Sequence, residues 1–341
     1  MDSESAVGTE SRSREADART LSPVALGTLT LAAFLLYFWL SGTLFPGDAP
    51  GFWMPSPRAT GAALTYSAIP AFLLAALRYA NRQTSVVVDE LVVSGSLTRE
   101  AVTDAGGAIG ALGLKQNVQA TIAGLILGSF NVPWAPIANH LATRSPTMFT
   151  ALSFAVGNLV VWVVVVHVVI RRVDASNSLR RLGRDHAEVD LFRLDALLPF
   201  GRIGTQGVLI VAIAVSLASF QSLDAEIRWV NYSWAFGAGI PAGLALLLIP
   251  MIGIRQNIRE VKRRELARLD EAIVAADRDL DPDPLRYLGD LLHRRETVVH
   301  LREWPLDMTA LSRVAIYFII PPIAWVGGAV VEIVIQAAIG N

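Results

Sequence analysis

Seven stretches of this chain carry no Asp, Glu, Lys or Arg: 20–47, 59–77, 116–143, 145–170, 203–223, 229–254 and 314–331. A helix that crosses a bilayer needs about 20 mostly apolar residues. Inside hydrocarbon, only helices and closed barrels satisfy every backbone group. The apolar centres of these windows predict helices near 23–44, 60–78, 118–138, 148–170, 203–222, 232–254 and 314–338. Charged residues are 17% of the 341, against about a quarter in a soluble domain. The expected fold is therefore an all-α polytopic membrane protein of about seven transmembrane helices.

One window resists hydropathy alone. In GLILGSFNVPWAPIANH, Gly124 to His140, the prolines Pro133 and Pro136 suit a re-entrant dip as well as a full crossing. Basic residues decide between the two, because they concentrate on the cytoplasmic side and are costly to insert. With seven crossings and the N-terminus inside, 26 of the 29 basic residues fall inside, and Arg58, Arg144 and Arg228 alone fall outside. With six crossings the best orientation leaves 20 inside and 9 outside. The stretch is expected to cross, placing the N-terminus in the cytoplasm and the C-terminus outside a plasma membrane. Aromatic residues mark the same borders: Trp53, Trp134, Trp229 and Trp234 on the outer side, Trp304 and Tyr317 on the inner. Such rings favour the headgroup level.

The predicted organisation is a disordered polar tail over 1–22, then a six-helix bundle over 23–254 with cytoplasmic connections at 79–117 and 171–202. A cytoplasmic helical hairpin over 255–312 and a last membrane helix over 313–341 follow. Within 79–117, TSVVVDELVVSGS suits either paired strands or a short surface element. Within 171–202, the spacing of Val189, Leu191, Phe192, Leu194, Leu197 and Leu198 suits an amphipathic helix. Such a helix lies in the interface or packs on the next connection. In the hairpin, Leu266, Leu269 and Ile273 form a stripe for one facing partner. Pro282 and Pro284 break the chain, and Leu285, Leu288 and Leu292 line the returning helix. Its charges balance, 11 basic to 11 acidic over 255–304, as on a solvated face.

Candidate polar sites in the spans are few. Glu332 is the only acidic residue in the predicted helices, and Pro321, Gly328 and Glu332 fall on one helical face. An intramembrane carboxylate facing a bundle is a candidate ion or proton site, though Glu332 also lies near the outer water. Asn158 suits a hydrogen bond between helices, and His167 is close enough to Arg171 to reach the inner border. The spacings Gly124–Gly128 and Gly239–Gly243 match the pattern that lets helices approach closely.

Other classes are excluded or lack support. The net charge of -1 gives no basic face for nucleic acid. No cysteine is present, so thiolate metal sites and disulfides are out. HExxH, GxSxG and GxxxxGK[ST] are all missing, so neither an enzyme nor a cofactor is expected. The sequence favours a non-enzymatic scaffold or signalling component whose hairpin binds a cytoplasmic partner or a second copy. The alternative is a channel or transporter that uses Glu332 and its proline-broken helix.

Overall fold

The computed structural model describes residues 21–41, 44, 60–106, 113–130, 132, 134, 148–223, 229–276, 282–304 and 308–339. Its helices are α1 (Pro23–Leu40), α2 (Thr60–Val93), α3 (Arg99–Gly106), α4 (Leu114–Phe130), α5 (Met148–Asp185), α6 (Leu198–Leu217), α7 (Trp229–Ala276), α8 (Pro282–His300) and α9 (Met308–Ile339). Single 3-10 stretches flank α6 at Leu194–Leu197 and Ala218–Leu223. No strand occurs among the described residues. Most of the predicted tail, together with Asn131, Pro133, Pro136 and Asp307, the residue expected to cap the start of the last membrane helix, lies outside the described residues.

Five helical stretches are long and apolar enough to cross a membrane: Pro23–Leu40, Thr60–Val93, Ala151–Asp185, Leu194–Gln221 and Gly237–Ala276. The third and seventh predicted spans differ from these. α4 has 17 residues, about 25 Å at helical rise against a hydrocarbon core of about 30 Å. α9 has 32 residues, of which Ser312–Gly327 forms the described apolar part.

α2, α5, α7 and α6 close a ring in which each packs on the next. α1 lies on α2, α4 on α5, α9 on α6 and α8 on α7. The chain directions follow from the contacts. Phe38, late in α1, stacks on Tyr66, early in α2, and on Phe154, early in α5. Leu91 and Leu182, late in α2 and α5, share a core with Ile254 and Phe200. α2, α5 and α7 thus run the same way, and α6 runs against them. Their shared end is rich in arginine: Arg78, Arg171, Arg202, Arg255 and Arg313 each stand at the edge of a charge-free window. Around the middle of the bundle the outward faces are apolar, as at Leu29, Leu36, Ile122, Ile126, Leu244, Ile319, Ile323 and Val326. A soluble monomer rarely exposes so much contiguous apolar surface, whereas lipid solvates it.

The connections at the arginine-rich end are more helical than their sequence suggests. TSVVVDELVVSGS is neither paired strands nor a separate surface element. α2 runs through it to Val93, because Val87, Val88 and Leu91 keep its buried face in register against Leu179 and Leu182 of α5. α5 likewise continues to Asp185. The amphipathic helix expected over 189–198 is replaced by irregular backbone to Arg193 and one 3-10 turn. Leu191 and Leu197 are buried in the shared core, while Phe192 stays exposed beneath Arg294. Burial of separate leucines between neighbouring helices here wins over one continuous apolar stripe.

Candidate functional site at the arginine-rich end

Among the described residues the largest buried cluster lies at and beyond the arginine-rich edge of the apolar windows. It joins Val87, Leu91, Leu179, Leu182, Phe200, Ile203, Ile254, Ile258, Leu269, Leu291 and Val298, so α2, α5, α6, α7 and α8 all contribute. The helix-to-helix approach is closest between α5 and α7. A Cβ on Gly253 would collide with the Arg180 carbonyl oxygen, and one on Gly183 would lie 2.7 Å from Ile254 Cγ1. Beside them, Asn257 Nδ2 donates to the carbonyls of Gly183 (3.1 Å) and Ala187 (2.7 Å). Gly183 lies in the last turn of α5, where carbonyls lose their helical partners, and Ala187 lies just past its end. A side chain of α7 therefore terminates α5.

α8 returns along the end of α7. Arg294 pairs with Glu265 at 2.9 Å and Arg295 with Asp270 at 2.6 Å, while Lys262 Nζ donates to the carbonyls of Val299 (2.7 Å) and Leu301 (3.2 Å). Of the predicted partner stripe, Leu269 is buried in the core, and Leu266 and Ile273 pack against it. Leu288 is half-buried and Leu292 exposed, and the side chain of Leu285 lies outside the described residues. The partner that this stripe faces is, for the most part, the chain itself. Among the described residues of this pair, the exposed large apolar ones are Val274, Tyr287, Leu292 and Val299.

The approach to α9 is held by a second cluster. Arg259 Nε donates to Glu303 at 2.7 Å, with Arg255 at 3.8 Å and Lys262 at 4.0 Å from the same carboxylate. Arg255 also stacks over Trp304 at 4.3 Å, and Trp304 packs against Val208, Leu247, Met251 and Val314. The Arg259 hydrogen bond, then the neighbouring cations, hold the Glu303 carboxyl below its usual range despite some opposing desolvation. Since the folded pKa is depressed, the stabilisation is present above the unfolded value of about 4.3. It is lost as pH falls through the lower folded value. Glu303→Gln is expected to lower stability at pH 7 by under about 1 kcal/mol, as for an exposed ion pair. The gap from wild type should close in acid, as read by thermal unfolding at pH 7 and pH 3.

Asn158 bridges two helices at the other half of the bundle. Its Nδ2 donates to Gly128 O at 2.9 Å, and Trp134 Nε1 donates to Ser129 O at 2.9 Å. Both acceptors lie in the last turn of α4, so these two side chains end that helix. Gly124 and Gly128 make the approach possible: a Cβ at Gly124 would lie 2.5 Å from Val163 Cα, and one at Gly128 3.2 Å from Leu159 Cα. The Gly239–Gly243 pair is looser, with Gly239 tight only against the Val215 side chain and Gly243 in ordinary contact. Replacing Asn158 by leucine should cost about 0.6 kcal/mol and at most about 1.7 kcal/mol, the average and the largest values for hydrogen bonds between membrane helices. Thermal unfolding in micelles reads it. A neutral result would remove the bond's role.

Of the remaining predicted residues, Pro321 is buried in α9, which packs on α6. The side chains of Gly328 and Glu332 lie outside the described residues. Asn158 belongs to α5, which packs on α2, α4 and α7. His167 is half-buried with Nδ1 2.9 Å from the Val163 carbonyl, a bond within its own helix. Hydroxyls in the apolar layers close on their own helices in the same way: Ser67 on Ala63, Thr84 on Ala80, Ser216 on Ala212.

One residue that sequence reading assigned to a loop is placed in the protein's interior. Arg172 is 2% exposed, and its Nε and Nη1 are buried with no hydrogen-bond partner. Arg78, Arg171 and Arg255 each also carry a buried Nε without a partner. The signal was present in the spacing. Val161, Val168, Ala175, Leu179 and Leu182 are buried, and Arg172 falls on their 3-4 repeat. No group of three or more His, Asp or Glu fit to hold a metal occurs among the described residues. Comparison with protein-family models, curated proteins and solved structures finds no match for this chain.

Proposed function

We propose that this is a seven-span membrane protein, N-terminus and arginine-rich end in the cytoplasm and C-terminus outside. It acts as a non-enzymatic scaffold or signalling component, and the α7–α8 pair is its cytoplasmic helical hairpin. The observation that carries this reading is continuity: α2, α5 and α7 each run unbroken from the apolar band into one core at the arginine-rich end. Rigid helices that share a core with the hairpin couple anything docked there to the membrane bundle.

Two observations support seven crossings. α4 runs antiparallel to α5 in steady register, with Gly124 at Val163, Gly128 at Leu159 and Val132 clustered with Ala155. It therefore travels almost to the point where α5 begins. α9 runs parallel to α6, with Val314 near Val208 and Trp325 Nε1 3.4 Å from the Val215 carbonyl. Both paths match alternation from an inside N-terminus.

The docking surface is what the hairpin's own core leaves exposed, Val274, Tyr287, Leu292 and Val299. Crosslinking of the full chain in membranes, with and without Val274→Glu and Leu292→Glu, tests it. The expected result is loss of the crosslinked species with an unchanged melting temperature, because both side chains are outside the core. Unchanged crosslinking in the double variant would rule this surface out.

A further inference from the structure

We propose that the guanidinium of Arg172 is the central donor of a site for phosphate oxygens, supplied by an anionic lipid headgroup or by free phosphate. A buried cation needs a counter-charge and an acceptor for each N–H. Arg172 is 2% exposed, its Nε and Nη1 have no hydrogen-bond partner, and no ion pair to it occurs among the described residues. Its planar fork matches the paired oxygens of a phosphate in bidentate fashion.

Position narrows the ligand. One turn before Arg172, Val168 belongs to the apolar cluster of Leu77, Ala80 and Ile210. Two turns after it, Leu179 belongs to the core of the arginine-rich end. Arg172 thus sits at the border between the two, just past the charge-free window 145–170. Buried threonines hold the same border on the neighbouring helices, Thr84 between Ala80 and Val88, and Thr205 between Ile203 and Val208. Their hydroxyls donate to the Ala80 and Arg202 carbonyls, and neither supplies the acceptor that Nε and Nη1 lack.

Among the described residues no carboxylate forms an ion pair with Arg172. Asp174 is two residues on, about 200° around the helix, and Glu90 is held by Arg202 at 3.0 Å. Arg78 and Arg171, the first cations after the windows of α2 and α5, likewise each carry a buried Nε without a hydrogen-bond partner. Phosphate is the abundant oxyanion at headgroup depth, and basic pockets between membrane helices are where such headgroups bind.

The test uses the full chain, delipidated, in nanodiscs of phosphatidylcholine alone or with phosphatidylglycerol, and reads the melting temperature. Inorganic phosphate is added against chloride at matched ionic strength. The expected result is a rise of several degrees with phosphatidylglycerol or with phosphate, and none with chloride. Response to the lipid alone assigns a headgroup, and response to phosphate in phosphatidylcholine discs assigns the free ion. Arg172→Gln should abolish the rise. Arg172→Lys, which keeps the charge and loses the fork, should clearly reduce the rise. The idea is overturned if neither probe shifts the wild type, or if Arg172→Gln or Arg172→Lys responds like wild type. Should Arg172→Gln fail to fold, the lysine variant decides alone.

Discussion

Gly253→Leu is expected to disrupt the arginine-rich end of this protein, and Gly253→Ala to destabilise it in the same way but less. The reason is geometric. The position where a Cβ would be built on Gly253 is already filled by the Arg180 carbonyl oxygen, with Arg180 Cα 3.0 Å away. A flexible side chain gives way to an intruding methyl group, but helical backbone moves only by shifting the whole helix. Overpacking costs about 1–3 kcal/mol where side chains must adjust, and a leucine against backbone should exceed about 4 kcal/mol, the range reserved for disrupted cores. Displacing α7 from α5 also pulls Asn257 from the carbonyls of Gly183 and Ala187, so the end of α5 loses its cap. Gly289 in α8 is the control, because nothing lies within 4 Å of its added Cβ. Gly289→Ala should stabilise by about 0.5–1 kcal/mol through helix propensity alone. Thermal unfolding in micelles separates the two, and equal effects would place the tight contact elsewhere.

Much of this architecture is legible from charge alone, and its limits are set by the same signal. The absence of Asp, Glu, Lys and Arg over 59–77, 145–170 and 229–254 locates α2, α5 and α7, since hydrocarbon excludes those groups. Water does not end a helix, however. The scan stops at Arg78, Arg171 and Arg255 while the helices continue to Val93, Asp185 and Ala276. What carries them onward is a buried repeat, Val87, Val88 and Leu91 in one helix, Leu179 and Leu182 in another. That repeat becomes visible only when the neighbouring helix is known. Asn257 is a further example: nothing local marks it, and its role appears only from the carbonyls it meets 70 and 74 residues away. Arg172 was hidden for the opposite reason. A cation next to Arg171, just beyond a span, looks like one more charge on the inner side, although its position in the 3-4 repeat points it inward.

Phe200→Ala should destabilise the whole arginine-rich end as one unit. Phe200 has no exposed surface and is among the largest fully buried side chains. Its ring lies against α5, within 3.3 Å of the place where a Gly183 Cβ would be built. It also shares the core with Ile254 and Ile258 of α7 and with Leu91 of α2. Removing a buried phenylalanine costs about 3–5 kcal/mol, from lost transfer energy plus the cavity left behind. The core is contributed by three separate stretches of sequence, so the loss should be felt in all of them together. Limited proteolysis of the variant should cut within 186–193 and within 255–303 at the same rate, against slow cleavage of both in the wild type. Cleavage confined to 255–303 would mean that α8 and the end of α7 open independently. The proposed continuity from membrane bundle to docking surface would then fail, and the coupling with it.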